Sequence, residues 1–163
     1  FCNYMNIQVS LMKYAIDYLS KFSSSKKNLN KILKNKIMRM KIEKKDKFLL
    51  YNSIPQIIIK LENNRLIDDK NYALSKIRSF AHQGKSKLFI KNYLIQKGIE
   101  KLIISDSLKE FENLNSNWEK DSAKTFIRKK RLTQSPENFQ KNLSKMARAG
   151  FSYDLCNNIL KIN

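Results

Sequence analysis

Glycine, proline, cysteine and histidine are scarce in this chain. Its 163 residues include 3 Gly, 2 Pro, 2 Cys and 1 His. So few glycines and prolines leave few tight turns, which excludes a meander of short strands and favours long helices. The two cysteines, Cys2 and Cys156, sit at opposite ends without metal-ligand spacing, so they predict no metal site. Cys156 falls on an apolar helical position and reads as a buried thiol. His82 has no nucleophile or ligand near it in the sequence, so it predicts no catalytic residue, only a surface or semi-buried one. No apolar run approaches the roughly 18–20 residues that span a bilayer. The first ten residues lack the basic start and apolar block of a secretory signal. A cytoplasmic protein with no cofactor and no membrane association is expected.

Acidic residues are scarce as well. There are 14 Asp and Glu against 33 Lys and Arg, a formal net charge of +19. Residues 1–50 hold 12 basic and 3 acidic groups, residues 51–119 hold 11 and 8, and residues 120–163 hold 10 and 3. Between Lys76 and Lys101 seven basic groups face Glu100 alone. Such an excess suits a polyanionic surface. Lys, Asn and Ile are all abundant, as AT-rich coding would produce. That bias raises lysine generally and accounts less well for local gaps in acidic residues.

What the chain does contain is a repeat. Residues 86–108 read SKLFIKNYLIQKGIEKLIISDSL, and residues 140–160 read QKNLSKMARAGFSYDLCNNIL. With Gly98 placed over Gly150, Leu94 meets Met146, Ile99 meets Phe151, Ile103 meets Leu155 and Leu108 meets Leu160. Each copy is a helical run, a glycine stop, a large apolar residue and a second helical run. A weaker copy lies upstream, where Leu29, Ile32, Leu33 and Lys36 match Ile90, Tyr93, Leu94 and Lys97. It lacks the glycine and is followed by about a dozen extra residues. Small helical units of this kind bury their apolar faces by stacking.

Local signals give nine helices. Asn6–Phe22 carries an apolar stripe, Ser23–Ser25 offers caps, and the next helix runs from Lys26 through Ile37. The charged run Arg39–Lys47 is compatible with a helix extension or an exposed loop. Ser53-Ile54-Pro55 predicts a cap with proline in the first turn, opening a short helix through Leu61. Asp68 or Asp69 caps the helix Lys70–Gln83, which Gly84 ends. Gly98 closes Ser86–Lys97 with a positive φ. Glu100–Leu114 and Asn117–Lys130 follow. Ser135-Pro136 starts the helix that Gly150 stops, and Ser152 caps the last one.

No constellation carries catalytic chemistry. Asp68-Asp69 lacks further ligands and reads as a helix cap. Gly84-Lys85-Ser86 lacks the leading glycine and preceding strand of a phosphate loop. Trp118, Tyr72, Phe80, Phe89, Tyr93, Phe126, Phe139 and Phe151 are placed for core packing rather than base stacking. The better functional candidates are Lys85, Lys87, Lys91, Lys97 and Lys101, then Arg128, Lys129, Lys130 and Arg131, with Lys141, Lys145 and Arg148 further on. Lys87 and Lys91 share a helix face.

The stretch Arg65-Leu66-Ile67-Asp68-Asp69-Lys70-Asn71-Tyr72-Ala73 resembles the G-L-L/I-D-D-x-x-Y/F-A signature of the RecX family of RecA regulators, with Asn64-Arg65 where that family usually has glycine. Ala15-Ile16-Asp17-Tyr18-Leu19 resembles the family's opening A-x-x-Y-L helix. Gly84-Lys85-Ser86 is similar to its glycine-led basic turn, Lys97-Gly98-Ile99 to its K-G-I/V element, and Ala149-Gly150-Phe151 to its R-G-F element with Ala149 in place of Arg. The order of these elements covers roughly Met12 to Ile162. The resemblance implies binding along the groove of a RecA–DNA filament, restraint of filament growth, ATP turnover and strand exchange, and weak non-specific binding of single- or double-stranded DNA.

The resulting expectation is an all-α protein, an elongated array of three tandem three-helix units, acting as a monomer. The units are residues 1–66, with a charged insertion at about 38–52, then 67–115 and 116–163. The implied function is regulation of RecA without catalysis. The alternatives are a generic basic helical nucleic-acid-binding protein, which would coat DNA equally well without RecA, and a nuclease or nucleotide-handling enzyme, which no acidic or histidine cluster supports.

Overall fold

The computed structural model describes residues 2–161, with side chains from Met5 onward. The side chain of Cys2 therefore lies outside the described residues. Among the described residues there are nine α-helices and no strand: α1 (Cys2–Lys21), α2 (Lys26–Arg39), α3 (Lys44–Asn63), α4 (Asp69–His82), α5 (Lys87–Gln96), α6 (Lys101–Leu114), α7 (Trp118–Lys129), α8 (Phe139–Arg148) and α9 (Tyr153–Leu160). A 3-10 turn, Pro136–Asn138, precedes α8. The fold is all-α and built of three-helix-like repeats. The chain forms two compact bodies. One holds the residues up to Tyr72 together with Lys97–Ile99, and the other holds Ala73–Gln96 together with the residues from Glu100 onward.

In the first body α1, α2 and α3 pack on one another. Their shared core is Leu11, Ala15, Leu29, Leu33, Ile37, Leu50, Ile54, Ile57, Leu61 and Ile67. One expectation fails here. Pro55 does not open a short helix; it lies inside α3, which starts at Lys44. Ser53 is no cap, because its hydroxyl donates to the Leu50 carbonyl within the helix at 2.8 Å. An interior proline costs about 3 kcal/mol. Leu50, Ile54, Ile57 and Leu61 recur at helical spacing and are all buried, at roughly 1.5–3 kcal/mol each. Burial of that face outweighs the local rule. The charged run around Arg39–Lys47 is resolved by the same helix: α2 ends at Arg39, and Lys44 already belongs to α3. The extra residues are mostly added turns of α3.

In the second body α5 packs on α6, and α9 packs on α7 and α8. Ala123, Leu132, Met146, Phe151, Cys156 and Leu160 form one core cluster there. Caps and stops fall where local chemistry requires them. Ser25 and Ser152 accept from the amides of Asn28 and Leu155 at 3.1 and 3.3 Å. Gly98 and Gly150 both take positive φ, +76° and +93°. Arg65 stands where the sequence signature has glycine, and it takes a left-handed backbone, with φ +56°.

The repeat extends to a set of contacts that ties distant segments together. In the first body the Ser25 hydroxyl donates to the Lys97 carbonyl, next to Gly98, at 2.6 Å. The Lys26 amide donates to Asp69 Oδ1 at 2.8 Å, and Lys26 Nζ pairs with Glu62. In the second body the Ser86 hydroxyl donates to the Ala149 carbonyl, next to Gly150, at 2.7 Å. The Lys87 amide donates to Glu119 Oε1 at 2.9 Å, and Lys87 Nζ pairs with Glu112. In each clasp a helix start is satisfied by a carboxylate from elsewhere in the chain, which offsets the orphan amides of the first turn.

Candidate nucleic-acid interface

A basic cleft lies in the second body. Its volume is about 640 Å³, and it is lined by the last turn of α4, the end of α6 and one face of α7. Helix α7 starts with Glu119 and Asp121 and ends with Arg128 and Lys129, each sign at the end its dipole favours. Its basic end thus reaches the cleft, where Arg78 and His82 face it from α4. The floor is apolar: Trp118 is only 6% exposed and meets Phe111 edge-on, with centroids 5.6 Å apart. Asp121 is the carboxylate in the lining, and it lies 3.8 Å from Lys124. Lys129 Nζ donates to the Gln83 carbonyl at 3.2 Å.

The sequence candidates divide on their surroundings. Arg128 lines this cleft and also a groove of about 460 Å³ formed with Lys120, Lys124, Gln134 and Asn158. Lys130 and Arg131 are exposed beyond the helix end, and Arg131 has φ +50° as the chain reverses. Lys141, Lys145 and Arg148 are exposed on one side of α8, while Asn142 and Met146 are buried on the other. Lys91 and Lys101 are exposed, and Lys97 is half-buried. Lys85 lies over the Phe89 ring at 4.7 Å, a cation–π contact. Lys87 is the most committed, because its ammonium is paired with Glu112 and its amide with Glu119. Lys87 and Lys91 therefore differ in the work their charges do, although they are one helical turn apart.

Arg78 and His82 joined the site only in three dimensions. Their one signal in the sequence is a spacing of four on α4, which aligns them on one face. The acidic pair also separates. Asp68 caps its own helix, accepting from the Asn71 amide at 3.0 Å. Asp69 is buried and caps α2 instead. Burial holds its carboxyl above the ordinary carboxylate range, opposed by the hydrogen bond from the Lys26 amide and by the Lys26 charge. The Cys156 thiol is buried, and burial pushes its pKa up, which suits packing rather than nucleophilic attack. Of the aromatics, Tyr72, Trp118 and Phe151 are buried and Phe89 is exposed. Among the described residues no group of three or more His, Cys, Asp and Glu could hold a metal ion. No helix among them is long and apolar enough to cross a membrane.

Similarity to known proteins gives this surface its context. Residues 68–108 match the family model described as "RecX, second three-helix domain". The regulatory protein RecX of Myxococcus xanthus is 28% identical over 157 residues, covering 91% of this chain and 83% of the relative. RecX of Bacillus cytotoxicus is 30% identical over 146 residues, and this chain spans only 49% of that relative's length. The crystal structure of RecX from Lactobacillus salivarius matches with a TM-score of 0.71 and 25% identity, over 96% of both chains. A second RecX crystal structure matches with the same score over 96% of this chain and 73% of its own. On sequence and structure together, the chain belongs to the RecX family of regulatory proteins.

Proposed function

We propose that this chain regulates the RecA recombinase by binding the RecA–DNA filament, mainly restraining its ATPase and strand exchange. The observation that carries the reading is the match over 91% of the chain to a protein named as a regulator. Basic surface supports it: the cleft of Arg78, His82, Arg128 and Lys129 and the exposed side of α8 with Lys141, Lys145 and Arg148 suit phosphate contacts, which need no particular base sequence. Three tandem units, residues 1–66, 67–115 and 116–163, would each add a weak contact, and linked weak contacts reinforce one another through effective concentration. The protein acts as a monomer in this reading, and its binding to DNA alone is weak and non-specific.

The test is RecA's ATPase on single-stranded DNA, with this protein added at well below equimolar amounts. Suppression is expected, because one bound regulator restrains many filament subunits. No effect at an equimolar amount overturns the reading. The net charge of +19 favours a second reading, a generic nucleic-acid binder. Equal binding to bare DNA and to the filament would select it.

A further inference from the structure

A second basic groove lies in the first body, on residues that the sequence did not single out. It has a volume of about 620 Å³ and is lined by Lys26, Lys27, Asn30, Lys31, Lys34 and Asn35 of α2, with Ile58 of α3. Lys27, Lys31 and Lys34 follow the four-then-three spacing of one helix face, so their stems rise over about 10 Å of helix. All three are exposed. No carboxylate lines the groove, and none of the three lysines forms an ion pair among the described residues. Lys26, at one end of the same lining, is paired with Glu62, a carboxylate that itself lies outside the lining.

Coding bias does not explain this face. In the register that places Ser25 on Ser86, the positions of Lys27, Lys31 and Lys34 are taken on α5 by Leu88, Asn92 and Ile95. Leu88 and Ile95 are 52% and 40% exposed. The same helix face is therefore cationic in one repeat and largely apolar in the next, where a bias towards lysine would act on both.

We infer that the α2 groove binds the phosphodiester backbone of a nucleic acid. Lysine ammoniums neutralise phosphates as point charges on flexible stems, which suits a backbone contact that needs no fixed geometry. Asn30 and Asn35 supply neutral amide donors of the kind that bond phosphate and sugar oxygens. Ile58, half-buried, gives an apolar floor against which a sugar can lie. The inference rests on the nucleic-acid part of the proposed function and not on RecA.

The test is binding of a fluorescent oligo-dT to the full chain without RecA, across a salt series. K31E/K34E is compared with K44E/K45E, which makes the same change in charge at the exposed start of α3. K31Q/K34Q covers the case in which the reversed pair disturbs α2, and circular dichroism monitors helix content. Affinity is expected to fall at least about tenfold for K31E/K34E, and the log–log salt slope should become shallower by about 1.4 for both altered pairs at 31 and 34. K44E/K45E should cost less than about threefold. Equal losses at the two places would replace the groove by diffuse attraction, and the inference would fail. Unchanged binding by K31E/K34E and K31Q/K34Q would also overturn it. So would loss of binding to a poly-glutamate peptide while oligo-dT binding is kept, which would assign the groove to an acidic protein. A groove confirmed on DNA alone would stand even if the RecA ATPase were unaffected.

Discussion

The clasp at Gly98 and the clasp at Gly150 have the same parts and differ in what supports them. Both join a serine hydroxyl to the carbonyl before the glycine, and both give the amide of the next residue to a remote carboxylate. At the first, the acid is Asp69, which is 6% exposed, and a second hydroxyl, Ser24, stands beside Ser25 and accepts from the Asn28 side chain at 2.9 Å. At the second, the acid is Glu119, only partly buried, and Lys85 occupies the place of Ser24. Its carbonyl accepts from Ser122 at 2.7 Å. The shared parts show that a repeat can conserve a hydrogen-bond pattern while its side chains change. The differences identify which clasp has reserve.

The largest effect is expected at the glycines. A Cβ at Gly150 would lie 2.6 Å from Ser86 Oγ and 3.3 Å from Leu88 Cβ, on a backbone with φ +93°. Gly150→Val should lower stability by about 1–3 kcal/mol, through the left-handed backbone and displacement of the clasp hydroxyl. Gly98→Val meets the root of the Lys27 side chain instead: a Cβ there would lie 2.7 Å from Lys27 Cβ, which the α2 backbone holds in place, and 2.8 Å from its Cγ. Its loss should lie at the upper end of the same range, because a Cβ fixed to the backbone cannot swing aside. Thermal melts of the two variants decide the order. An unchanged melting temperature for Gly150→Val would refute the turn assigned there.

The serines come next. Each hydroxyl donates to a carbonyl and accepts from an amide of its own helix, in partly buried surroundings, so alanine strands two polar groups. Losses of about 1–3 kcal/mol are expected for Ser25→Ala and Ser86→Ala. Ser86→Ala should be the more costly, because Ser24 is available beside Ser25 and no hydroxyl replaces it beside Ser86. Denaturant midpoints measure both. A larger loss at Ser25 would mean that Ser24 gives no support, and the contrast between the clasps would have to be redrawn.

Helix boundaries were legible because they are local. Ser25, Ser152, Gly98 and Gly150 each act on a few neighbouring residues, and the sequence shows those neighbours. Pro55 departs from its local signal for the opposite reason. The rule against interior proline is local, and the burial of Leu50, Ile54, Ile57 and Leu61 that overrides it is tertiary. The basic clusters were visible as composition, but their commitments were not. Lys87 looks like Lys91 on paper, yet Glu112, which holds it, lies 25 residues away. Arg78 and His82 gained meaning only when α7 brought Arg128 opposite them. The sequence marks Asp68 or Asp69 as a cap of the helix that follows, whereas the helix Asp69 caps begins 43 residues earlier.

The smallest effect concerns that carboxylate and carries a definite sign. The Asp69 carboxyl is held above the ordinary range, chiefly by burial; the Lys26 amide and charge pull it down, and Glu62 and Asp68 push it further up. An acid with a raised pKa binds its proton more tightly in the folded chain than in the unfolded one. Its contribution to stability is therefore full below the ordinary Asp pKa of about 3.9 and is lost as pH rises through the raised value. Asparagine keeps an oxygen able to accept from the Lys26 amide and never ionises. Asp69→Asn should thus change stability at neutral pH by less than about 1 kcal/mol. The difference between variant and parent should move in the variant's favour as pH rises from about 3.5 to about 7. Melts across that range test the sign. If the parent instead gains on the variant with rising pH, the ionised carboxylate is a net stabiliser of the Gly98 clasp, and burial is not the dominant influence on it.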